Sequence, residues 1–188
     1  ITERKQAEER LTHLTSVLKG LRAVNQLITR EKDRQRLLKK ACEVLVESRG
    51  YDRVTILLLD RNGKPLLVEA AGLGSESPVF LDEIKAGNYP YCFRELLSQE
   101  RPFLLYDRPG IEHKGCALAG IHSARGVYRC KLEYEGKVYG ILGVTTAPQA
   151  VFDNEEQNLF LELCTDVAYA LAGIESEEKR QQAEEQTK

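Results

Sequence analysis

The sequence has no long hydrophobic run. No apolar stretch approaches the roughly 18–20 residues that a membrane-spanning helix needs. The longest candidates, around Val54–Leu59 and Val138–Val144, have the length of strands. Residues 1–10 are charged and do not resemble a secretory signal. The sequence therefore predicts no membrane insertion of this segment and a cytoplasmic location.

Basic clusters and a regular cysteine pattern are also missing. The 27 Lys and Arg residues are scattered among 29 Asp and Glu residues, and the formal net charge is −2. This balance gives no reason to expect a nucleic acid as partner. The five cysteines are an odd and widely spaced set, which is not a disulfide framework. Reduced thiols are therefore expected. The cysteines are Cys42, Cys92, Cys116, Cys130 and Cys164.

Motifs of common catalytic chemistry are absent from the sequence. Gly72-Leu73-Gly74 follows a predicted strand but lacks the third glycine of a dinucleotide fingerprint, and no Walker A sequence exists. No Gly-x-Ser-x-Gly elbow exists either, and the acidic residues concentrate on predicted helix surfaces. Of the three histidines, His13 is expected to be a solvated residue of the first helix. The patterns predict no catalytic residue and no metal centre.

Proline is absent from residues 1–64 and 149–188, which permits long helices at both ends. In residues 1–30, apolar side chains recur at spacings of three and four, as in a coiled-coil seam of about three heptads. The predicted seam consists of Leu11, Leu14, Leu18, Leu21, Asn25 and Ile28, with Ile174 of the last helix joining it. A parallel homodimer is therefore predicted. The alternative is an amphipathic helix that packs on its own domain.

Between the two ends, short apolar runs are separated by turn residues. Asn62-Gly63 and Glu135-Gly136 each join two such runs, as in β-hairpins, and strands joined this tightly are antiparallel. Strands are predicted at Val54–Leu59, Leu66–Ala71, Phe103–Tyr106, Val127–Tyr134 and Val138–Thr145, and a short helix at Phe93–Ser98. The predicted fold class is α/β (α+β), a central antiparallel sheet of five or six strands flanked by helices, with long terminal linker helices.

Three elements carry further signals. In Val127–Tyr134 the residues alternate, with Arg129, Lys131 and Glu133 on the polar side. The last helix begins at Asp153, which forms an Asp-x-x-Glu capping pattern with Glu156. Asp33 is the predicted N-cap of the second helix.

Residues 107–125 form a long glycine-rich stretch without a clear period, and long loops of this kind are usually functional. This loop contains His113 and Cys116, and Tyr91 and Cys92 precede it. Thiol and imidazole groups bind haem iron or other metals, and thiolates undergo oxidation. The predicted ligand-binding residues are therefore Cys116, His113, Cys92 and Tyr91, with haem or another small ligand left open. The alternative makes the two cysteines small buried hydrophobic residues and His113 a surface residue.

Several stretches resemble the GAF domains of bacterial and archaeal sensor histidine kinases. They are Leu37-Leu38, Cys42-Glu43-Val44-Leu45-Val46, Arg49-Gly50-Tyr51, Cys116-Ala117-Leu118-Ala119, Tyr134–Gly140, Phe152–Phe160 and Asp166–Leu171. The resemblance covers residues 31–175. It implies a GAF sensor domain there, between an N-terminal signalling helix at 1–30 and a C-terminal linker helix at 176–188. Residues 1–9 resemble the exit of an upstream PAS domain.

The resemblance also implies how such a domain works. In GAF domains, helices form a bundle on one face of the sheet and a small-molecule pocket lies on the other. The implied role is regulatory: the domain binds a small ligand or senses redox state. It relays the signal through a helical dimer linker to adjacent PAS, GAF or kinase domains of the same polypeptide. The sequence departs from two family patterns, since it has no Asn-Lys-x-Asp signature and Cys116 is followed by Ala117 rather than by histidine.

Two other functions stay open. Some GAF-fold proteins are free methionine sulfoxide reductases, in which cysteines near the pocket react, and Cys92 and Cys116 would then be a nucleophile and a resolving thiol. The other alternative is a dimerisation module with an empty pocket.

Overall fold

The computed structural model describes residues 2–106 and 125–188. Within these ranges, helices flank both faces of a five-stranded antiparallel sheet with the strand order β2-β1-β5-β4-β3. The helices are α1 (Glu3–Arg30), α2 (Arg34–Glu47), α3 (Ser77–Lys85), α4 (Tyr91–Ser98) and α5 (Asn154–Gln186). The strands are β1 (Arg53–Leu59), β2 (Pro65–Ala71), β3 (Phe103–Tyr106), β4 (Gly126–Tyr134) and β5 (Lys137–Thr146). The predicted fold class is confirmed.

The predicted caps and turns form as the sequence indicates. The side chain of Asp33 accepts a hydrogen bond of 2.8 Å from the backbone N–H of Arg36, at the start of α2. In the second hairpin, Glu135 and Gly136 have φ angles of 48° and 77°. Two successive residues with positive φ are what a tight hairpin turn requires. Local chemistry therefore fixes the ends of these elements.

One helix was missed. The sequence predicts a single short helix within residues 72–102, whereas the structure has two, α3 and α4. Only Phe80 and Ile84 of α3 are buried. Because α3 spans nine residues, its apolar face is too short to show a clear helical period. The helix is fixed instead by the sheet surface against which these two side chains pack.

The sheet separates two apolar cores. The bundle face is covered by α1, α2 and α5, and the opposite face by α3 and α4. Alternate residues of each strand enter different cores, as the pleat dictates. In β1, Ile56 and Leu58 contact the helices of the bundle face, while Leu57 and Leu59 belong to the core of the opposite face. One strand thus packs against both layers of helices.

The second half of α1 is built into the domain. Val17 and Val24 are 0% exposed and belong to the core of the bundle face. Gly20 lies on the same stripe, and a Cβ atom there would lie 2.7 Å from Ser48 Oγ, so glycine lets α1 approach the end of α2. The predicted domain boundary at residue 30 falls between two helices that share this core. No helix within residues 2–106 and 125–188 is long and apolar enough to span a membrane.

Candidate functional site

Two of the four predicted ligand-binding residues lie in the first turn of α4, on the opposite face. Cys92 is 7% exposed and packs in the same apolar core as Phe93, while Tyr91 is 50% exposed. His113 and Cys116 lie outside the described residues, so whether the four residues come together stays a prediction. In the described part of the chain, no group of three or more His, Cys, Asp or Glu side chains is arranged to hold a metal ion.

Two of the three cysteines that the structure describes on the bundle face, Cys42 and Cys164, are fully enclosed by apolar side chains. Cys42 is 0% exposed and Cys164 is 2% exposed. Burial raises the pKa of both thiols, because a thiolate is disfavoured away from water. A thiol that stays protonated is a poor nucleophile. These two cysteines therefore pack as small apolar residues.

The opposite face contains a buried arginine that the sequence reasoning did not single out. Arg129 of β4 is only 5% exposed. Its Nη1 donates to the backbone oxygens of Tyr128 and Val144 at 2.9 and 3.2 Å. Its guanidinium carbon lies 5.7 Å from the centre of the Phe93 ring, a cation–π contact. The Nε atom is buried and has no hydrogen-bond partner among the described residues.

A glycine holds this arginine flat against the sheet. Gly143 of β5 is the cross-strand partner of Arg129. A Cβ atom at Gly143 would lie 2.6 Å from Cδ and 2.8 Å from Nε of Arg129. Such distances are closer than real Cβ contacts, so any side chain at position 143 would push the arginine away. The absence of a side chain there lets the guanidinium group lie across the centre of the sheet.

Further unpaired polar groups lie on the same face. Arg53 of β1 is the cross-strand partner of Thr145 of β5, two residues along the strands from the pair of Thr55 and Gly143. Because side chains alternate along a strand, all of these residues lie on the opposite face. Nε and Nη1 of Arg53 and Oγ1 of Thr145 are buried without a hydrogen-bond partner in the described residues. Within the same ranges, neither Arg53 nor Arg129 has an ion-pair partner.

A second polar cluster joins α1 to α5 on the bundle face. Glu156 is 0% exposed. One of its carboxylate oxygens lies 2.8 Å from Nε2 of His13, and the other accepts a hydrogen bond of 3.2 Å from Thr146. Nearby, the Nε of Arg10 donates to Asp153 at 2.5 Å. The hydrogen bond to Glu156 raises the pKa of His13, although burial opposes this shift.

The contact between His13 and Glu156 corrects two predictions. His13 was expected to be a solvated surface residue, and acidic residues were expected on helix surfaces. Both expectations are wrong here, because α1 crosses the start of α5 and covers Glu156. The capping pattern pointed to this segment, but only Asp153 caps α5, by accepting from the N–H groups of Glu155 and Glu156. No local signal indicates a pairing between residues 143 positions apart.

Some residues of the predicted dimer seam are buried within the chain itself, and others lie on its surface. Leu14 and Leu21 are buried within the chain, as in the alternative of an amphipathic helix on its own domain. Ile28 and Ile174 pack with Leu37 of α2. The remaining positions are on the surface: Leu11 is 67% exposed, Leu18 is 40% exposed and Asn25 is exposed. The homodimer itself stays a prediction.

Comparison with known proteins agrees with this architecture. The model of the GAF domain family matches residues 31–172. The chain is similar to the GAF domain of a phosphoenolpyruvate-protein phosphotransferase from Coxiella burnetii. That similarity has a TM-score of 0.66 and 18% identity, over 89% of this chain and 98% of the other. A search of curated protein sequences finds no significant match.

Two further solved structures have the same fold. One is a domain of a protein named as a two-component sensor histidine kinase from Sinorhizobium meliloti, with a TM-score of 0.57 and 16% identity over 78% of this chain and 96% of the other. The other is a free methionine-R-sulfoxide reductase from Neisseria meningitidis, with a TM-score of 0.55 and 16% identity over 85% and 90% of the two chains. At these identities the structures show a shared fold alone. The family model and the sheet with helices on both faces establish that the chain belongs to the GAF domain family.

Proposed function

We propose that the chain is the sensory GAF domain of a signal-transduction histidine kinase. A small ligand on the opposite face would change how the terminal helices pack in a homodimer. One observation carries this proposal. The first helix, α1, and the last helix, α5, lie on the same face of the sheet and are joined there by the contacts of Arg10 with Asp153 and of His13 with Glu156. A conformational shift of the sheet would therefore displace α1 and α5 together.

A short path connects the two faces. Arg129 points to the opposite face, and its neighbour Tyr128 points to the bundle face, since adjacent residues of a strand alternate. The ring of Tyr128 stacks on Phe160 of α5 with a centroid distance of 5.2 Å, and its hydroxyl group donates to the backbone oxygen of Ala150 at 2.7 Å. A shift of β4 at Arg129 would therefore displace the start of α5. Small shifts at a packed interface of this kind can select between two arrangements of a helix bundle.

The surface of the bundle favours a second copy of the chain as partner. Leu11 and Leu18 are large apolar residues one heptad apart on the exposed side of α1. Beyond Ile174, α5 continues to Gln186 with mostly exposed, charged residues. A helix that extends past its own core in this way is suited to connect with a neighbouring domain. The proposed context is cytoplasmic, with PAS, GAF or kinase domains in the same polypeptide.

The dimer is tested with the purified chain by sedimentation at about 50 μM, since self-association depends on concentration. A variant with Leu11→Lys and Leu18→Lys is expected to be monomeric and to keep the circular dichroism spectrum of the parent. Leu66→Lys is the matched control, because Leu66 is 58% exposed but lies on β2, away from α1. A monomeric parent chain at this concentration would contradict the dimer seam.

The ligand and the output need the full-length protein. Native mass spectrometry of the protein purified from its source shows whether a small molecule is bound, and autophosphorylation with and without it shows whether the domain controls a kinase. The predicted part of the site at His113 and Cys116 is tested in the same protein by His113→Ala and Cys116→Ala. If neither substitution changes bound cofactor, thiol reactivity or kinase output, these two residues are not part of a regulatory site.

An enzymatic function is favoured by one observation, the shared fold with the free methionine-R-sulfoxide reductase. Cys92 lies on the opposite face, where such chemistry would take place. The test is the reduction of free methionine-R-sulfoxide with dithiothreitol, using Cys92→Ser and Cys116→Ser, with Cys42→Ser as a buried control. Turnover that depends on Cys92 or Cys116 would replace the sensory proposal. A domain with neither turnover nor a bound molecule would be the ligand-free dimerisation module.

A further inference from the structure

We propose that the opposite face binds a small oxyanion, a carboxylate or phosphate group. Arg129 would be the main hydrogen-bond donor to this anion, and Arg53 and Thr145 would be further donors. This inference rests on the proposed function, since it names the class of ligand that the domain senses. It starts from the burial of Arg129, which is 5% exposed and whose Nε has no partner among the described residues.

A buried guanidinium group without a counter-charge is an unfavourable arrangement. Moving a cation out of water has a large desolvation cost, which a paired anion offsets. Within the described residues, Arg129 donates two hydrogen bonds to backbone carbonyl oxygens, both from the single atom Nη1, and its guanidinium group lies over the face of the Phe93 ring. These contacts hold the side chain in place and leave Nε without an acceptor among the described residues. An oxyanion would provide the counter-charge and the acceptor that the described residues do not supply, often through two parallel hydrogen bonds.

The neighbouring donors belong to the same surface. The register places Arg53 two strands away from Arg129, which corresponds to about 10 Å across the sheet. Thr145 lies on β5, the strand between those of Arg53 and Arg129. In the described part of the chain, no hydrogen-bond partner exists for the buried Nε and Nη1 of Arg53 or for the buried hydroxyl group of Thr145. Two cations on one face repel each other when the face is empty. An anion between them removes this repulsion and satisfies all three residues.

The rest of the face suits a small metabolite rather than a free inorganic ion alone. The core around the arginines is apolar and includes Leu57, Ile141 and the aromatic ring of Phe93. Pockets for small molecules commonly combine such apolar walls with a few polar groups that fix orientation. The charged group of the ligand would bind Arg129 in these apolar surroundings.

The test uses the 188-residue chain in a chloride buffer. Inorganic phosphate and succinate are titrated in separate experiments, with sodium chloride at matched ionic strength as reference. Binding is measured by calorimetry and by the shift of the melting temperature. Phosphate and succinate distinguish a phosphate from a carboxylate as the preferred group. At least one of them is expected to raise the melting temperature beyond the chloride reference.

Two variants then locate the site. Arg129→Gln removes the charged donor, and a dissociation constant about 10- to 100-fold weaker is expected, because a hydrogen bond to a charged group is lost. Gly143→Ala keeps every charge but places a Cβ atom against the guanidinium group, and a comparable loss is expected. Arg22→Gln, at an exposed position on α1, is the charge-matched control and should bind like the parent chain.

The outcomes separate this inference from the proposed function. If phosphate and succinate stabilise the chain no more than chloride, or if Arg129→Gln and Gly143→Ala bind as tightly as Arg22→Gln, the oxyanion site is wrong. A neutral ligand that regulates the kinase and binds Arg129→Gln normally would leave the sensory function intact and refute the site. Conversely, oxyanion binding that depends on Arg129 without any effect on kinase output would support the site and contradict the sensory function. If Arg129→Gln does not fold, Gly143→Ala decides.

Discussion

The buried charged side chains on the two faces of the sheet differ in whether they have side-chain partners. On the bundle face, the buried carboxylate of Glu156 has partners on two elements, His13 of α1 and Thr146 of β5. On the opposite face, the buried guanidinium group of Arg129 has only backbone acceptors, and its Nε is unpaired in the described residues. A satisfied charge holds two elements in one arrangement, whereas an unsatisfied one favours a ligand. This comparison supports the proposals that the bundle face connects the helices and that the opposite face binds a ligand.

The largest expected effect comes from the aromatic core of the bundle face. The Phe160 ring contacts the rings of Tyr51, Phe103 and Tyr128 with centroid distances of 6.3, 5.9 and 5.2 Å. Phe160→Ala is expected to lower the free energy of unfolding by about 3–5 kcal/mol, measured by urea denaturation. Phe152→Ala is the control, since Phe152 is 66% exposed, and it should change stability by about 0.5 kcal/mol or less. Equal effects would show that Phe160 is not part of a tight core.

The satisfied charge is tested next. Glu156→Ala is expected to lower the free energy of unfolding by about 2–3 kcal/mol, because it leaves His13 and Thr146 without their acceptor in a buried position. Glu155→Ala is the matched control one residue away, as Glu155 is exposed and, among the described residues, forms an ion pair with exposed Arg10 alone. Its effect should not exceed about 1 kcal/mol. A similar loss in both variants would mean that Glu156 does not connect α1 to α5.

Removing the charge of Arg129 should have the opposite effect on the free energy of unfolding. Arg129→Met keeps much of the side chain's length and removes the buried cation. In a buffer without phosphate or carboxylates, it is expected to raise the free energy of unfolding by about 1–2 kcal/mol, measured by the same denaturation. Lys131 also points to this face but donates to the backbone oxygen of Gln99, so Lys131→Met should not stabilise the chain. A destabilised Arg129→Met variant would contradict an unfavourable buried charge at this position.

The smallest effect is a dependence on pH. The hydrogen bond to Glu156 raises the pKa of His13 above its ordinary value of 6.5 in the folded chain. The folded state therefore holds the proton more tightly, and the stabilisation is fully present below pH 6.5 and is lost as the pH rises through the raised value. The stability of the parent chain relative to His13→Gln should therefore fall as the pH rises from about 6.5 through the raised pKa of His13. Parallel curves of stability against pH would contradict a charged contact with Glu156.

Local patterns account for most of the fold. Both hairpins, the caps at Asp33 and Asp153 and the long terminal helices follow from turn chemistry, side-chain capping and the absence of proline. The alternation of β4 is also confirmed, with Tyr128, Cys130 and Leu132 on the bundle face. What the pattern did not reveal is that the polar side of β4 at Arg129 is buried. That burial depends on the helices of the opposite face, one of which the sequence reasoning missed.

The sequence by itself determined every helix and strand named above except α3, and it determined which strand faces are apolar, because these properties depend on residues a few positions apart. Only the tertiary structure decided which side of α1 is buried, since the heptad pattern permits both a dimer seam and packing on the domain. It also decided that His13 meets Glu156, and that Arg129 lies over Gly143 beneath Phe93. Each of these contacts joins segments distant in sequence, so its energy depends on how layers pack and not on local propensity.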